Sequence, residues 1–170
     1  LKPKEKAQLV SHVPSLFAGV QNLNTRDYIA MGRAPYTNFI GKLSPKDWDL
    51  VDSIIAKLNM EHLALKDTSK LSDGERQIAT IAKALTQQTK VILLDEPTAF
   101  LDYANRMSVL KILKQISLEM DVCILQTSHD LELCMEFSDT ILVIDSIEKK
   151  IVPLEAKTCL KSEIVTIAFR

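Results

Sequence analysis

Glycine is scarce in this 170-residue chain: there are four, Gly19, Gly32, Gly41 and Gly74. No Gly-x-x-x-x-Gly-Lys-Ser/Thr loop can be drawn from them, so these residues hold no phosphate cradle of that type. Cysteine is equally thin. Cys123, Cys134 and Cys159 are an odd, scattered set, two of them among apolar neighbours, which argues for reduced thiols over a disulfide framework or metal cluster. The formal net charge of -1 supplies no field that would draw a nucleic acid. No apolar run approaches the ~18 residues of a membrane span. Internal repeats, low-complexity tracts and obvious flexible linkers are also missing.

What is present is ordinary for a globular chain: 46% hydrophobic and 25% charged residues, at a length that buries one core or one core with a small subdomain. The organising stretch is Val91–Asp102. Val91-Ile92-Leu93-Leu94 is wholly apolar and partly β-branched, which predicts a strand inside a parallel sheet. Asp95 and Glu96 follow at once, at the strand end where α/β folds place ligand chemistry. Pro97 then stops the ladder, having no N–H to donate. A carboxylate in that place suits Mg²⁺, and a second acid not needed by the metal can orient a water. By itself, such a run reads equally well as a strand leaving the core for a polar loop.

The stretch just before it, Leu71-Ser72-Asp73-Gly74-Glu75-Arg76-Gln77, narrows the choice. Ser72 and Glu75 form a capping box and open a helix. Ile78, Ile81, Ala82 and Leu85 share one of its faces. A hydroxyl, a glycine and free backbone N–H groups at a helix N-terminus make an anion site, although an ordinary cap would explain the serine alone. More specific is the order: capped helix, short link, apolar strand, Asp-Glu-Pro-Thr, Leu101-Asp102, then His129 after another strand.

With those residues in that order, the chain resembles the second part of an ABC-transporter ATPase subunit. Leu71–Glu75 is similar to the family's signature, usually Leu-Ser-Gly-Gly-Gln, and Val91–Glu96 to Walker B with the catalytic glutamate. Thr98–Asp102 resembles the D-loop, and His129 in Thr127-Ser128-His129-Asp130 the switch histidine. The likeness is specific across Leu71–Asp130 and weaker out to about Val10 and Phe169. It implies an α/β fold: a partial P-loop NTPase (RecA-like) core with a mostly parallel sheet, plus an inserted helical subdomain. The expected division is 1–19 for the first part of the core with the Q-loop region, 20–88 for the helical subdomain ending in the signature helix, and 89–170 for the rest of the core. In the family the phosphate loop and the adenine-stacking aromatic lie upstream. The chain is therefore expected to be an amino-terminally truncated piece that binds ATP poorly by itself.

Along the rest of the chain, Lys2–Lys6 reads as a charged lead-in and Ala7–Val13 as a short strand ended by Pro14. By the family's register Ser15 stands at the Q-loop glutamine, where it is a shorter and weaker contact; a plain surface turn competes with that role. Asn24-Thr25 caps a helix carrying Tyr28, Ile29 and Met31, expected to stop at a left-handed Gly32. Met31–Tyr36 resembles the Leu-Gly-Arg-x-Pro stretch of the branch that imports iron-siderophores, haem or cobalamin; otherwise it is a helix end with Arg33 in solvent. Asn38–Leu43 reads as loop. Ser44-Pro45-Lys46-Asp47 opens a helix that buries Trp48, Val51, Ile54, Ile55 and Leu58. Leu63 and Leu65 are expected to pack in the connector that follows. Helices are expected at Tyr103–Met120, Leu131–Phe137 and Ser162–Phe169, and strands at Val122–Gln126, Thr140–Ile144 and Lys150–Leu154.

The resemblance also implies a mechanism. Two copies pair head to tail with ATP and Mg²⁺ between them. Asp95 helps hold the metal, Glu96 polarises the attacking water, and His129 contacts the γ-phosphate. Ser72, Gly74 and Glu75 of the signature and Asp102 of the D-loop serve the nucleotide of the facing copy; Ser15 is the remaining nucleotide-side candidate. Asp73 replaces the family's first signature glycine and is expected to point off the phosphate. Phe100 stands where the family often has alanine. Closure would drive multi-span permease subunits from the cytoplasmic face of the plasma membrane. Two other readings stay open: a soluble ABC ATPase that transports nothing, and a non-catalytic fragment offering only an interaction surface.

Overall fold

A computed structural model describes residues 2–37, 41–145 and 147–168. They belong to two compact units, Leu1–Thr127 and Ser128–Arg170.

The first unit is built on a three-stranded parallel sheet, β1 (Val10–Val13), β2 (Val91–Leu94) and β3 (Cys123–Gln126), in that spatial order. Val13 pairs with Leu94 and Leu94 with Gln126, so the strands run out together. β2 is the middle strand, which is why its run is apolar on both faces: Ile92 and Leu94 are buried, Val91 and Leu93 half-buried. The expected strand at Ala7–Val13 is shorter. Pro3–Leu9 forms helix α1 and only Val10–Val13 is strand. Pro3 sits in the first turn, where its missing N–H costs nothing, and the Glu5 carboxylate accepts from the Lys2 N–H at 2.8 Å. None of α1 is buried, so no apolar stripe announced it.

Among the described residues between β1 and β2 lie three α-helices: α2 (Thr25–Ala30), α3 (Pro45–Lys57) and α4 (Asp73–Thr86). Asn24 caps α2 and Ser44 caps α3, each accepting from the N–H three residues on. The helix of Tyr28 does not stop at Gly32. It tightens into a 3₁₀ segment, Met31–Tyr36, and Gly32 is absent from the left-handed region. The glycine is there for close approach: a Cβ on it would run into the Lys83 carbonyl and the Thr86 hydroxyl of α4. Met31 faces solvent. In the connector, Leu63 is buried but Leu65 is 84% exposed, because two short 3₁₀ turns, Glu61–Leu63 and Thr68–Lys70, replace a regular stripe. Trp48 is half-buried beneath the Arg26 guanidinium, 4.2 Å from its ring centre.

Arg33 is buried, at 8% exposure, rather than solvated. Its Nε donates to Asp47 Oδ1 at 2.8 Å, and its Nη1 to the Thr86 carbonyl at 2.9 Å and to Gln88 Oε1 at 3.0 Å. The guanidinium also lies 4.0 Å over the Tyr36 ring. One side chain thus ties the 3₁₀ segment, the start of α3 and the end of α4. Hydrogen bonds from the Ser44 hydroxyl and backbone N–H, and then Arg33, lower the Asp47 carboxyl to about 2. Its share of stability is present above the unfolded value of 3.8 and is lost as pH falls toward 2.

After β2, α5 (Tyr103–Glu119) buries Val109, Leu110, Leu113 and Ile116. The second unit holds α6 (Leu131–Phe137), the antiparallel pair β4 (Thr140–Asp145) and β5 (Lys150–Glu155), and α7 (Lys161–Ala168). Asp145 is buried, and its Oδ1 accepts from the Ile147 and Glu148 N–H groups. Of the expected loop at Asn38–Leu43, residues 38–40 lie outside the described residues, as does Phe169 at the end of the expected last helix. The α/β class with a parallel sheet and a helical insertion is as read from the sequence.

Arg33→Ala in the full-length gene product should lower unfolding free energy by about 3 kcal/mol, because it leaves Asp47 and the Thr86 carbonyl without their buried partner. Urea titration at neutral pH measures it.

Candidate functional site

The rim of the parallel sheet carries the acids. The ladder continues one step past β2 on both sides: Asp95 N–H donates to the Val13 carbonyl at 2.9 Å, and Thr127 N–H to the Leu94 carbonyl at 3.0 Å. Asp95 is exposed and Glu96 half-buried. Glu96 has φ +43°, the left-handed region that a glutamate rarely adopts. Its carbonyl accepts from the Ala99 N–H at 3.1 Å, closing a turn over Pro97. Thr127 Oγ1 accepts from the Glu96 N–H at 2.8 Å and donates to Asp95 Oδ1 at 3.0 Å.

A second cluster forms at the N-terminus of α4. Ser72 Oγ accepts from the Glu75 N–H at 3.2 Å, and Glu75 Oε2 accepts from the Ser72 N–H at 2.8 Å. Lys66 Nζ adds a bond to the same Oε2 at 3.0 Å. The Ser72 N–H first, then Lys66, hold the Glu75 carboxyl below its ordinary value. Asp73 is turned onto the Arg76 guanidinium, whose Nη1 also donates to the Leu71 carbonyl at 2.6 Å. Gly74 is buried against α5: a Cβ there would stand 2.7 Å from Asn105 Oδ1. Asn105 in turn donates from N and Nδ2 to the two oxygens of Asp102, which caps α5. Ser72, Gly74, Asp102 and the α4 and α5 N-termini therefore belong to one neighbourhood.

A small cleft beside the second cluster is lined by Ser15, Leu16, Phe17, Asp73, Arg76, Gln77, Phe100 and Leu101. Phe17 stacks on Tyr28, ring centres 4.2 Å apart. Gln77 is 6% exposed, and its Nε2 is buried without a hydrogen-bond partner.

Residues 2–99 match the family described as ABC transporter. The chain belongs to that family. It is 36% identical over 144 residues to an uncharacterised ABC transporter ATP-binding protein of Methanocaldococcus jannaschii, covering 85% of this chain and 50% of that one. It is 33% identical over 144 residues to the petrobactin import ATP-binding protein FpuC of Bacillus anthracis, covering 85% and 53%. Among solved structures, a metal-chelate type ABC transporter in an inward-facing conformation superposes with a TM-score of 0.85 at 29% identity, over 95% of this chain and 63% of that one. The chain thus spans about half the length of the curated relatives it matches.

Leu71–Glu75 and Asp102 meet around Gly74 and Asn105, while Asp95 and Glu96 are joined through Thr127. Ser15 lines the cleft beside Asp73 and Gln77. Glu75 is occupied by the cap and Lys66. His129 is exposed and opens the second unit, one residue before Asp130, the cap of α6. Sequence reading missed Arg76, Gln77, Asn105 and Thr127. Arg76 and Asn105 carried a local signal, each standing three residues after an acid at a helix start; Gln77 and Thr127 carried none.

Among the described residues no cluster of three or more His, Cys, Asp or Glu could cage a metal. One exposed carboxylate at a strand end, with one oxygen held by Thr127, fits a cation that keeps most of its ligands as water and phosphate oxygen, as Mg²⁺ does. Ser72→Ala should cost about 1 kcal/mol of stability by urea titration, the usual worth of a helix cap.

Proposed function

We propose that the chain is the signature and Walker B part of an ATP-hydrolysing subunit that powers import of a metal chelate of the iron-siderophore, haem or cobalamin kind. The observation that carries the reading is the paired acids at the open end of the middle strand, one exposed and the other held in a left-handed turn. Phosphoryl transfer to water needs an oriented nucleophile and stabilised charge more than covalent help. Asp95 would hold Mg²⁺, which when bound offsets phosphate charge. Glu96 orients the water, and His129, assigned by motif order, faces the γ-phosphate. Ser72 and the Gly74 N–H bind the γ-phosphate held by a second, head-to-tail copy, using the unpaired N–H groups of the α4 N-terminus. Glu75 contributes by fixing that turn, Asp102 by setting the D-loop, and Ser15 from the cleft side. The organisation as 1–19, 20–88 and 89–170 belongs to the same reading.

Support for the transported class comes from the petrobactin import relative and the metal-chelate type structure, together with the Met31–Tyr36 segment. Arg33 is spent on packing, so that segment marks the branch through architecture rather than by touching cargo. Among the described residues no helix is long and apolar enough to cross a membrane. Multi-span permease subunits would then provide the path, with this subunit on their cytoplasmic face.

Glu96→Gln in the full-length gene product should cut ATP turnover at least about 100-fold, the scale of losing a general base. An ATP-dependent dimer should persist in light scattering. Turnover near wild type removes Glu96 from the chemistry. Asp73→Gly should leave turnover close to unchanged, since the carboxylate is already engaged by Arg76; a large gain in a steady-state ATPase assay contradicts that placement.

A further inference from the structure

One atom touches both acids of the rim. The Thr127 hydroxyl has a single hydrogen and two lone pairs. The hydrogen goes to Asp95 Oδ1 at 3.0 Å, and a lone pair accepts the Glu96 N–H at 2.8 Å. Thr127 is itself anchored, as the first residue past β3, by its N–H on the Leu94 carbonyl at 3.0 Å. Glu96 needs such an anchor, because φ +43° is a conformation its backbone does not choose unaided. Asp95 needs one as well: a carboxylate at an exposed strand end is free to rotate unless one oxygen is tied.

We infer that Thr127 is a positioning residue for both acids. It fixes the rotamer of Asp95, which keeps the second carboxylate oxygen for the cation, and it holds the left-handed turn that aims Glu96. It acts through Asp95 and Glu96 and touches no substrate. The inference rests on the reading of those two acids given above. It goes beyond that reading by assigning the strand after the helix, rather than β2 alone, as the part that sets the geometry of the metal and water. A hydroxyl is required; the methyl is not.

The test uses the full-length gene product and Mn²⁺ as the probe. Mn²⁺ binding is read by electron paramagnetic resonance with a non-hydrolysable ATP analogue. Thr127→Val keeps the side-chain shape and removes the hydroxyl, and should weaken Mn²⁺ about 10-fold, as loss of a partner behind a ligand commonly does. Thr127→Ser keeps both hydrogen bonds and should bind Mn²⁺ as the wild type does. In ATPase assays the valine variant should lose kcat with KM for ATP little changed. If Thr127→Val does not fold, Thr127→Ala is read in the same way. Unchanged Mn²⁺ affinity in the folded valine or alanine variant overturns the inference, even if its melting temperature falls. Asp95→Asn separates the two failures. If it weakens Mn²⁺ while Thr127→Val does not, only the role of Thr127 falls; if it does not weaken Mn²⁺, the reading of Asp95 falls and this inference with it.

Discussion

Two main-chain hydrogen bonds decide where Asp95 and Glu96 sit: Asp95 N–H to the Val13 carbonyl and Thr127 N–H to the Leu94 carbonyl. They extend the parallel ladder one residue past its last formal pair on each flank of the middle strand. With them, Asp95 still belongs to the sheet and Glu96 is the first residue to leave it. Pro97 cannot donate, so the chain has to turn there. A short apolar strand between two others thereby becomes a rigid mount for two carboxylates, and rigidity is what positioning chemistry asks of a protein.

The turn at Ser72 is built on a different principle. Its polar groups are nearly all engaged with one another: Ser72 with Glu75, Glu75 with Lys66, Asp73 with Arg76, and Asp102 with Asn105. The acids at this helix start also meet the positive end of the macrodipole. The Asp73 carboxylate is paired locally with the Arg76 guanidinium. A Cβ on Gly74 would meet the Asn105 side chain of α5, which would have to shift.

What the sequence made legible was local. Capping boxes at Ser44 and Ser72 have both halves within four residues, and both formed. The apolar run at Val91–Leu94 and the stripe of α5 likewise carry their own evidence. What was misread depended on distant partners. The helix at Pro3–Leu9 has no buried face to reveal it. For Arg33 the alternative of a solvated helix end could be dismissed only once Asp47 and Thr86 arrive from 14 and 53 residues away. Gly32 looks like a stop signal, yet it is a close-packing site against a helix some 50 residues later. Thr127 looks like ordinary strand-end polarity; only the parallel pairing of β3 with β2 brings its hydroxyl to Asp95. Around these residues the capping box of Ser72 with Glu75 was readable, whereas the contacts of Arg76 with Asp73, Asn105 with Asp102 and Thr127 with Asp95 and Glu96 were missed.

The clamp at Arg33 has a mechanical consequence. It grips α4 at Thr86, and Ser72 sits just before the opposite end of the same helix. Fourteen residues make a rod about 21 Å long at 1.5 Å per residue. A pivot of roughly 5° at the gripped end then swings the serine tip by about 2 Å over that length, a displacement comparable to making or breaking a hydrogen bond. Arg33 and Ser72 thus stand at the two ends of one rod.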